Sequence, residues 1–243
     1  MSKKLFLTSI ILTLALSVNA QSWWNSKKVK GNGNVVTETR STSDYSGISV
    51  GGSFDVILVK GKEGKITLKG EENILPYIET EIKGNNLKIQ YKKNVNVRTT
   101  RRLTVTVTFE DIDKLSLGGS GNIISKDLIK ANNLKVSIGG SGNIEAKIDA
   151  ENVKASVAGS GNIRLTGNAD ELKCSIAGSG DIKAYGLQTD TTRASIAGSG
   201  SVRVSVKTRI KASIAGSGSI YYKGKPAYID TNSAGSGSVI SKN

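Results

Sequence analysis

From Gly119 onward the chain repeats one phrase: "GSGNI" at Gly119, Gly140 and Gly159, "GSGDI" at Gly178, "GSGSV" at Gly198, "GSGSI" at Gly216 and "GSGSV" at Gly235. The steps between copies are 21, 19, 19, 20, 18 and 19 residues. A sustained period near nineteen marks a stacked repeat, in which each unit buries its apolar face against the next.

The residues before each copy alternate apolar and polar: "LKVSIGG" from Leu134, "VKASVAG" from Val153, "LKCSIAG" from Leu172, "TRASIAG" from Thr192 and "IKASIAG" from Ile210. That is the period of a strand with one buried face. Val136, Ala155, Cys174, Ala194 and Ala212 fall in one inward column, and Ile138, Val157, Ile176, Ile196 and Ile214 in the next. A second strand starts at Ile144, Ile163, Ile182, Val202 and Ile220. Nineteen extended residues trace a path of roughly 60 Å, one turn of a narrow coil whose neighbours stack about 4.8 Å apart. The expected fold is all-β: a single-domain parallel β-helix with about 19 residues per turn. A helical repeat of this length is excluded, because a helix pair needs more residues than one period supplies.

Gly-Ser-Gly suits a corner, since glycine reaches positive φ without a Cβ clash. The next position carries Asn122, Asn143, Asn162, Asp181, Ser201, Ser219 and Ser238, which can bond local backbone, and stacked asparagines can bond one another. Ile138 and Ile144 are an even number of residues apart, so parity leaves a straight strand with inward glycines open. Cys174, the only cysteine, stands where other repeats carry alanine or valine and reads as a buried filler, with no disulfide available.

Residues 1–20 read as a secretory signal peptide: Lys3-Lys4, an apolar run from Leu5 to Leu16, and a small-residue cleavage site at Val18-Asn19-Ala20. The run is too short for a comfortable membrane span, and no cysteine follows the cut to carry a lipid anchor. Residues 21–41 form a tail or cap segment, in which Gly33 to Thr39 can pair as an edge strand. Trp23 and Trp24 suit a membrane interface or the end of the coil, and equally a tail of no fixed role. Residues 42–243 form the β-helix domain. Removing Lys3 and Lys4 lowers the formal charge from +14 to +12.

Four segments carry a family resemblance: "GNGNVVTETRSTSDYSGISV", "SFDVILVKGKEGKITLKGEENILPYIE", "LTVTVTFEDIDKLSLGGSGNI" and the recurring Gly-Ser-Gly-Asn-Ile. In this order they resemble the head GIN domain family of autotransporter-adhesin type, found in exported proteins of Bacteroidetes-type bacteria. The resemblance implies a right-handed coil, export to the periplasm or cell surface, and an adhesin-like role. The C-terminal "GSGSVISKN" offers no alternating segments for an outer-membrane barrel, so anchoring at the surface would fall to another component.

Chemistry is sparse. With no histidine, serine–histidine catalysis is excluded, and one cysteine rules out an ordinary zinc site. The calcium β-roll motif needs an aspartate that only Asp181 supplies, and its nine-residue period does not fit. No cofactor is expected. Glu151, Asp170, Glu171 and Asp190 recur at one corner and would serve a carbohydrate-active protein if paired across a cleft. The residues favour solvated corner carboxylates instead, and a non-enzymatic protein. Two outward cationic columns stand out: Lys114, Lys135, Lys154, Lys173, Arg193 and Lys211, and beside them Arg164, Lys183 and Arg203. Stacked, they would form a linear stripe matched to an acidic glycan or other polyanion. Lysine on exposed strands also simply keeps sheets soluble. No aromatic residues are read as interleaving with the stripe, so specific nucleic-acid binding is not expected. Tyr221, Tyr222 and Tyr228 are expected to pack as a cap at the far end.

Overall fold

The computed structural model describes residues 26–243, and the expected signal peptide and Trp23-Trp24 lie outside the described residues. About seven turns of about 19 residues wind into a β-solenoid. Its regular part is built from five long bent strands: β11 (Asn122–Gly140), β12 (Asn143–Gly159), β13 (Asn162–Gly178), β14 (Asp181–Gly198) and β15 (Ser201–Gly216). Each pairs in parallel with the next, so like residues lie above like. Both inward columns read from the sequence are in register and buried, with Cys174 at 1% exposure between Ala155 and Ala194. Burial pushes its thiol up to about 12, which leaves an inert apolar filler.

Gly-Ser-Gly is a corner and not a straight strand. The first glycine has positive φ in every copy, 120° at Gly159 for example. Its carbonyl accepts two N–H groups from the turn above, as when Ser141 and Gly142 both donate to Gly119 at 3.0 Å. The second glycine is needed for closeness alone: a Cβ on Gly161 would lie 2.5 Å from the carbonyl oxygen of Gly142. Serine side chains between them face solvent. The unequal repeat lengths are absorbed elsewhere. Register shifts fall after Ile124, Arg164 and Ala184, on the side of the coil beyond the second strand.

Toward the N-terminus the parallel stack gives way to a cap. β3 (Gly47–Gly52) and β10 (Lys114–Gly119) continue the first face, which then meets β7 (Asn86–Tyr91) and ends on antiparallel β6 (Ile78–Lys83). On the second face β4 (Asp55–Lys60) leads to β9 (Thr104–Phe109), then to antiparallel β5 (Lys65–Glu71) and β2 (Val35–Ser41). Here the interior widens, and Tyr45, Phe54 and Phe109 fill it. β1 (Lys27–Lys30) lies in parallel on β8 (Val95–Arg98) as a separate strap. β2 is the edge strand that the sequence suggested within the tail, and it is antiparallel. One continuous core runs from Tyr45 to Ile220.

The C-terminal end is left bare. β16 (Ser219–Lys223), β17 (Tyr228–Ala234) and β18 (Ser238–Ser241) form the last turn, and every residue of β17 is exposed. Two of its inward positions turn polar, Thr231 over Ala212 and Ser233 over Ile214, while Ile229 over Ile210 stays apolar and is half exposed.

Candidate functional site

The first cationic column is assembled as expected. Lys114, Lys135, Lys154, Lys173, Arg193 and Lys211 are consecutive register partners on the outer side of the first face. The ladder of parallel hydrogen bonds dictates this, because a strand's side chains cannot drift from their rung. Beside them runs a serine column, in which Ser116 and Ser137 hydroxyls lie 2.9 Å apart. Next to the serines come only Gly118, Gly139, Ala158, Ala177, Ala197 and Ala215, so the face is flat. The column is not uniformly free. Arg193 pairs with Glu171 at 3.0 Å and Lys211 with Asp230 at 2.9 Å. Lys114, Lys135, Lys154 and Lys173 have no carboxylate within ion-pair distance among the described residues.

Arg164, Lys183 and Arg203 likewise stack, on the second face. Two residues at the same offset escaped the sequence reading. Glu145 precedes Arg164 in this column and Tyr221 follows Arg203. Both sit two residues after the corner position, in "NIE" and "SIY", so the signal was present. The expectation that aromatics stand apart from the stripe is therefore corrected: Tyr221 continues the second column, with the Arg203 guanidinium 5.5 Å from its ring centre. The expected tyrosine cap is corrected too. Tyr222 packs on the core, but Tyr228 is 60% exposed.

Between the second column and the corner runs the asparagine ladder. Asn122 donates to Asp55 at 2.5 Å, Asn143 to Asn122 at 2.9 Å and Asn162 to Asn143 at 2.9 Å. Asp55 is held in turn by Arg102 at 2.5 Å. A groove of about 380 Å³ runs along the ladder, lined by Asn143, Glu145, Asn162, Arg164 and Lys183. Asp181 ends the ladder. Burial opposes its charge, but the Ser201 hydroxyl and N–H and the Arg203 guanidinium outweigh burial and hold its carboxyl below the usual range. It lies 3.7 Å from Lys183 and 3.3 Å from Arg203, so one carboxylate serves two cations.

The corner carboxylates stand on consecutive rungs at the outer surface, since Ala150, Ala169 and Thr189 are register partners just before Glu151, Asp170 and Asp190. Glu151, Asp170 and Asp190 are exposed, Asp190 pairs with Lys207 at 3.1 Å, and Glu171 is taken by Arg193. Glu151 and Asp170 border an open depression of about 260 Å³ with Asp149 and Lys130. Among the described residues no three His, Cys, Asp or Glu side chains are placed to hold a metal ion, and no helix is long and apolar enough to cross a membrane. A further cleft of about 800 Å³ opens at the bare end, lined by Arg193, Arg209, Ile210, Lys211, Tyr228 and Ile229.

Flat faces and in-register charge define a repeat scaffold that presents surface. Residues 44–226 match the family described as "Putative auto-transporter adhesin, head GIN domain", and the chain belongs to that family. No curated protein matches the chain. Solved structures do. A putative adhesin from Bacteroides fragilis NCTC 9343 superposes with a TM-score of 0.84 at 22% identity, covering 88% of this chain and 100% of that one. A protein from Parabacteroides distasonis ATCC 8503 described as a putative lipid binding protein gives a TM-score of 0.75 at 31% identity, covering 89% and 100%. A putative adhesin from Parabacteroides merdae ATCC 43184 gives 0.71 at 26% identity, covering 90% and 100%.

Proposed function

We propose that this chain is an exported, non-enzymatic β-solenoid that acts as an adhesin-like binding module for acidic polymers at the periplasm or cell surface. The family supports export and adhesion. The observation that carries the ligand class is the column Lys114, Lys135, Lys154 and Lys173, four stacked cations without carboxylate partners among the described residues. Cations held one rung apart, about 4.8 Å, repel one another, and a linear polyanion lying along the axis relieves that repulsion. The binding is expected to weaken with salt, since exposed charges are screened over about 10 Å at 0.1 M. Glu171 and Asp190 are taken up by Arg193 and Lys207, and Glu151 and Asp170 lie open to solvent, which favours a binding role over glycan hydrolysis.

Retention on immobilised heparin tests the reading. The protein is expected to bind at low salt and elute in a salt gradient, and Lys135→Gln, Lys154→Gln and Lys173→Gln together should lower the eluting salt. Elution of the triple variant at the wild-type position would refute the column's role.

The bare-end cleft supports a second reading, an acidic amphiphile. Tyr228, 60% exposed, lies beside the Arg209 guanidinium, 5.0 Å from its ring centre, and Ile229, 52% exposed, lines the same cleft with Asp230. An apolar chain fits the two side chains and an acidic head the guanidinium, a ligand type in keeping with the description of the Parabacteroides distasonis protein. Co-flotation with vesicles containing an anionic phospholipid is expected for the wild type and lost in Ile229→Asp. Equal flotation of the two proteins would dispose of this reading.

A further inference from the structure

The two cationic columns differ in how their charges are held. On the first face the unpaired lysines project over serines and alanines with nothing to restrain them. On the second face the C-terminal turns build an ordered array. Tyr221 is approached from both flanking turns: Arg203 from the turn before and Lys242 from the turn after, each 5.5 Å from its ring centre. Lys223 lies 4.9 Å from the ring of Tyr185, two turns earlier, reaching past Ser205 of the turn between. The two tyrosines are brought together through the turn between them, in which Arg203 lies against the Tyr221 ring and Val204 pairs with both Ala184, beside Tyr185, and Tyr222, beside Tyr221. Asp181 is the carboxylate paired with Lys183 and Arg203, and Lys223 and Lys242 have none within ion-pair distance among the described residues. Four cations and two phenol hydroxyls thus face outward around a single carboxylate.

Physical consequences follow from the rings. A free lysine loses about 2 kcal/mol of rotamer freedom when a ligand fixes it, whereas a cation already resting on an aromatic face has lost much of that beforehand. Each ring-held charge, on Arg203, Lys223 and Lys242, therefore yields more binding than a charge of the lysine column. The cations also occupy the faces of Tyr221, so a nucleobase has no open ring to stack on. What remains available is anion pairing with the cations and hydrogen bonding from the phenols, which suits carboxylate or sulfate groups on a hydroxylated polymer.

We propose that the anchoring subsite for an acidic polysaccharide is the array of Arg203, Tyr221, Lys223 and Lys242 with Tyr185 and Lys183, and that the first-face lysines add only diffuse attraction. The inference rests on the polyanion reading above and locates it. Matched removal of one charge tests it. In a titration with a heparin oligosaccharide, Lys242→Gln is expected to lose about five- to tenfold in affinity, and Lys135→Gln less than about twofold. Tyr221→Leu, which alters no charge, should lose at least about five- to tenfold, while Tyr221→Phe keeps the ring that holds the cations, gives up only the hydroxyl's hydrogen bond and should lose clearly less than Tyr221→Leu. Lys242 lies beyond the last strand, so its substitution leaves the fold intact whatever Tyr221→Leu does. Equal losses for Lys242→Gln and Lys135→Gln would overturn the anchor while leaving the polyanion reading in place. No binding by the wild type would end both. A thymidine oligonucleotide that binds as tightly and loses as much in Tyr221→Leu would overturn the saccharide assignment in favour of single-stranded nucleic acid.

Discussion

Gly140→Ala is expected to unfold the stack at a cost of about 3 kcal/mol or more, and Gly139→Ala to be nearly neutral. The two glycines are neighbours, and their environments are opposite. Gly140 has φ of 140°, and an added Cβ would press on the backbone of Gly119 in the turn below. That contact is with a carbonyl engaged by two hydrogen bonds, so no flexible side chain can move aside. Relief requires separating two rungs that the ladder holds together on both sides of the corner. Gly139 points outward with nothing within 4 Å, and its register partner Ala158 already carries the methyl group. Thermal melting should place Gly140→Ala roughly 6–12 °C below wild type, with Gly139→Ala within about 2 °C. Similar melting of the two variants would show that the corner tolerates separation and that the close stack is not what fixes the coil.

Glu71→Ala is expected to release the N-terminal strap. The Glu71 side chain is buried, at 1% exposure, and accepts from Gly33 N–H at 2.7 Å, Thr100 N–H at 2.8 Å, the Thr100 hydroxyl at 2.6 Å and Arg101 N–H at 3.2 Å. It joins three stretches distant in sequence: the segment after β1, the end of β5 and the loop before β9. Gly31 leaves the space its carboxylate occupies, since a Cβ there would coincide with it. Burial alone would raise the carboxyl, but the Thr100 hydroxyl and the N–H groups of Thr100, Gly33 and Arg101 outweigh it and bring it from 4.5 down to about 2. A lowered value means that the charged form is bound better in the folded state. The contribution is therefore complete above pH 4.5, declines as pH falls, and is gone below about 2. Truncation strands several donors at about 1–3 kcal/mol each. Limited proteolysis at neutral pH should cut Glu71→Ala near Lys27–Lys30 well before wild type, and acid should produce the same cut in wild type between pH 4.5 and 2. A strap equally resistant in both proteins would show that pairing of β1 with β8 suffices without the clasp.

The regular half of the molecule was legible because its two periods are written in the residues. Alternation gives the strand, the nineteen-residue spacing gives the stack, and together they placed Cys174, the asparagine ladder and both cationic columns. The cap was not legible. β2, β5 and β6 alternate just as coil strands do, and the direction in which an edge strand pairs depends on the neighbour it meets. Glu71 was missed for a related reason: its donors lie 29 to 38 residues away and belong to no repeat. Tyr221 and Glu145 were missed although their offsets were readable, because the search for the column followed positive charge and passed over other residue types.

The sequence by itself determined that this chain coils and which residues stack, because the repeated apolar columns allow one register only. The choice of a corner over a straight strand at Gly-Ser-Gly waited on the backbone, whose first glycine has positive φ in every copy. Tertiary structure alone decided which charges remain free. Salt bridges and cation–aromatic contacts depend on how long side chains reach across rungs, so Asp181 quiets one part of the second column while Tyr221 and Tyr185 hold another part in place.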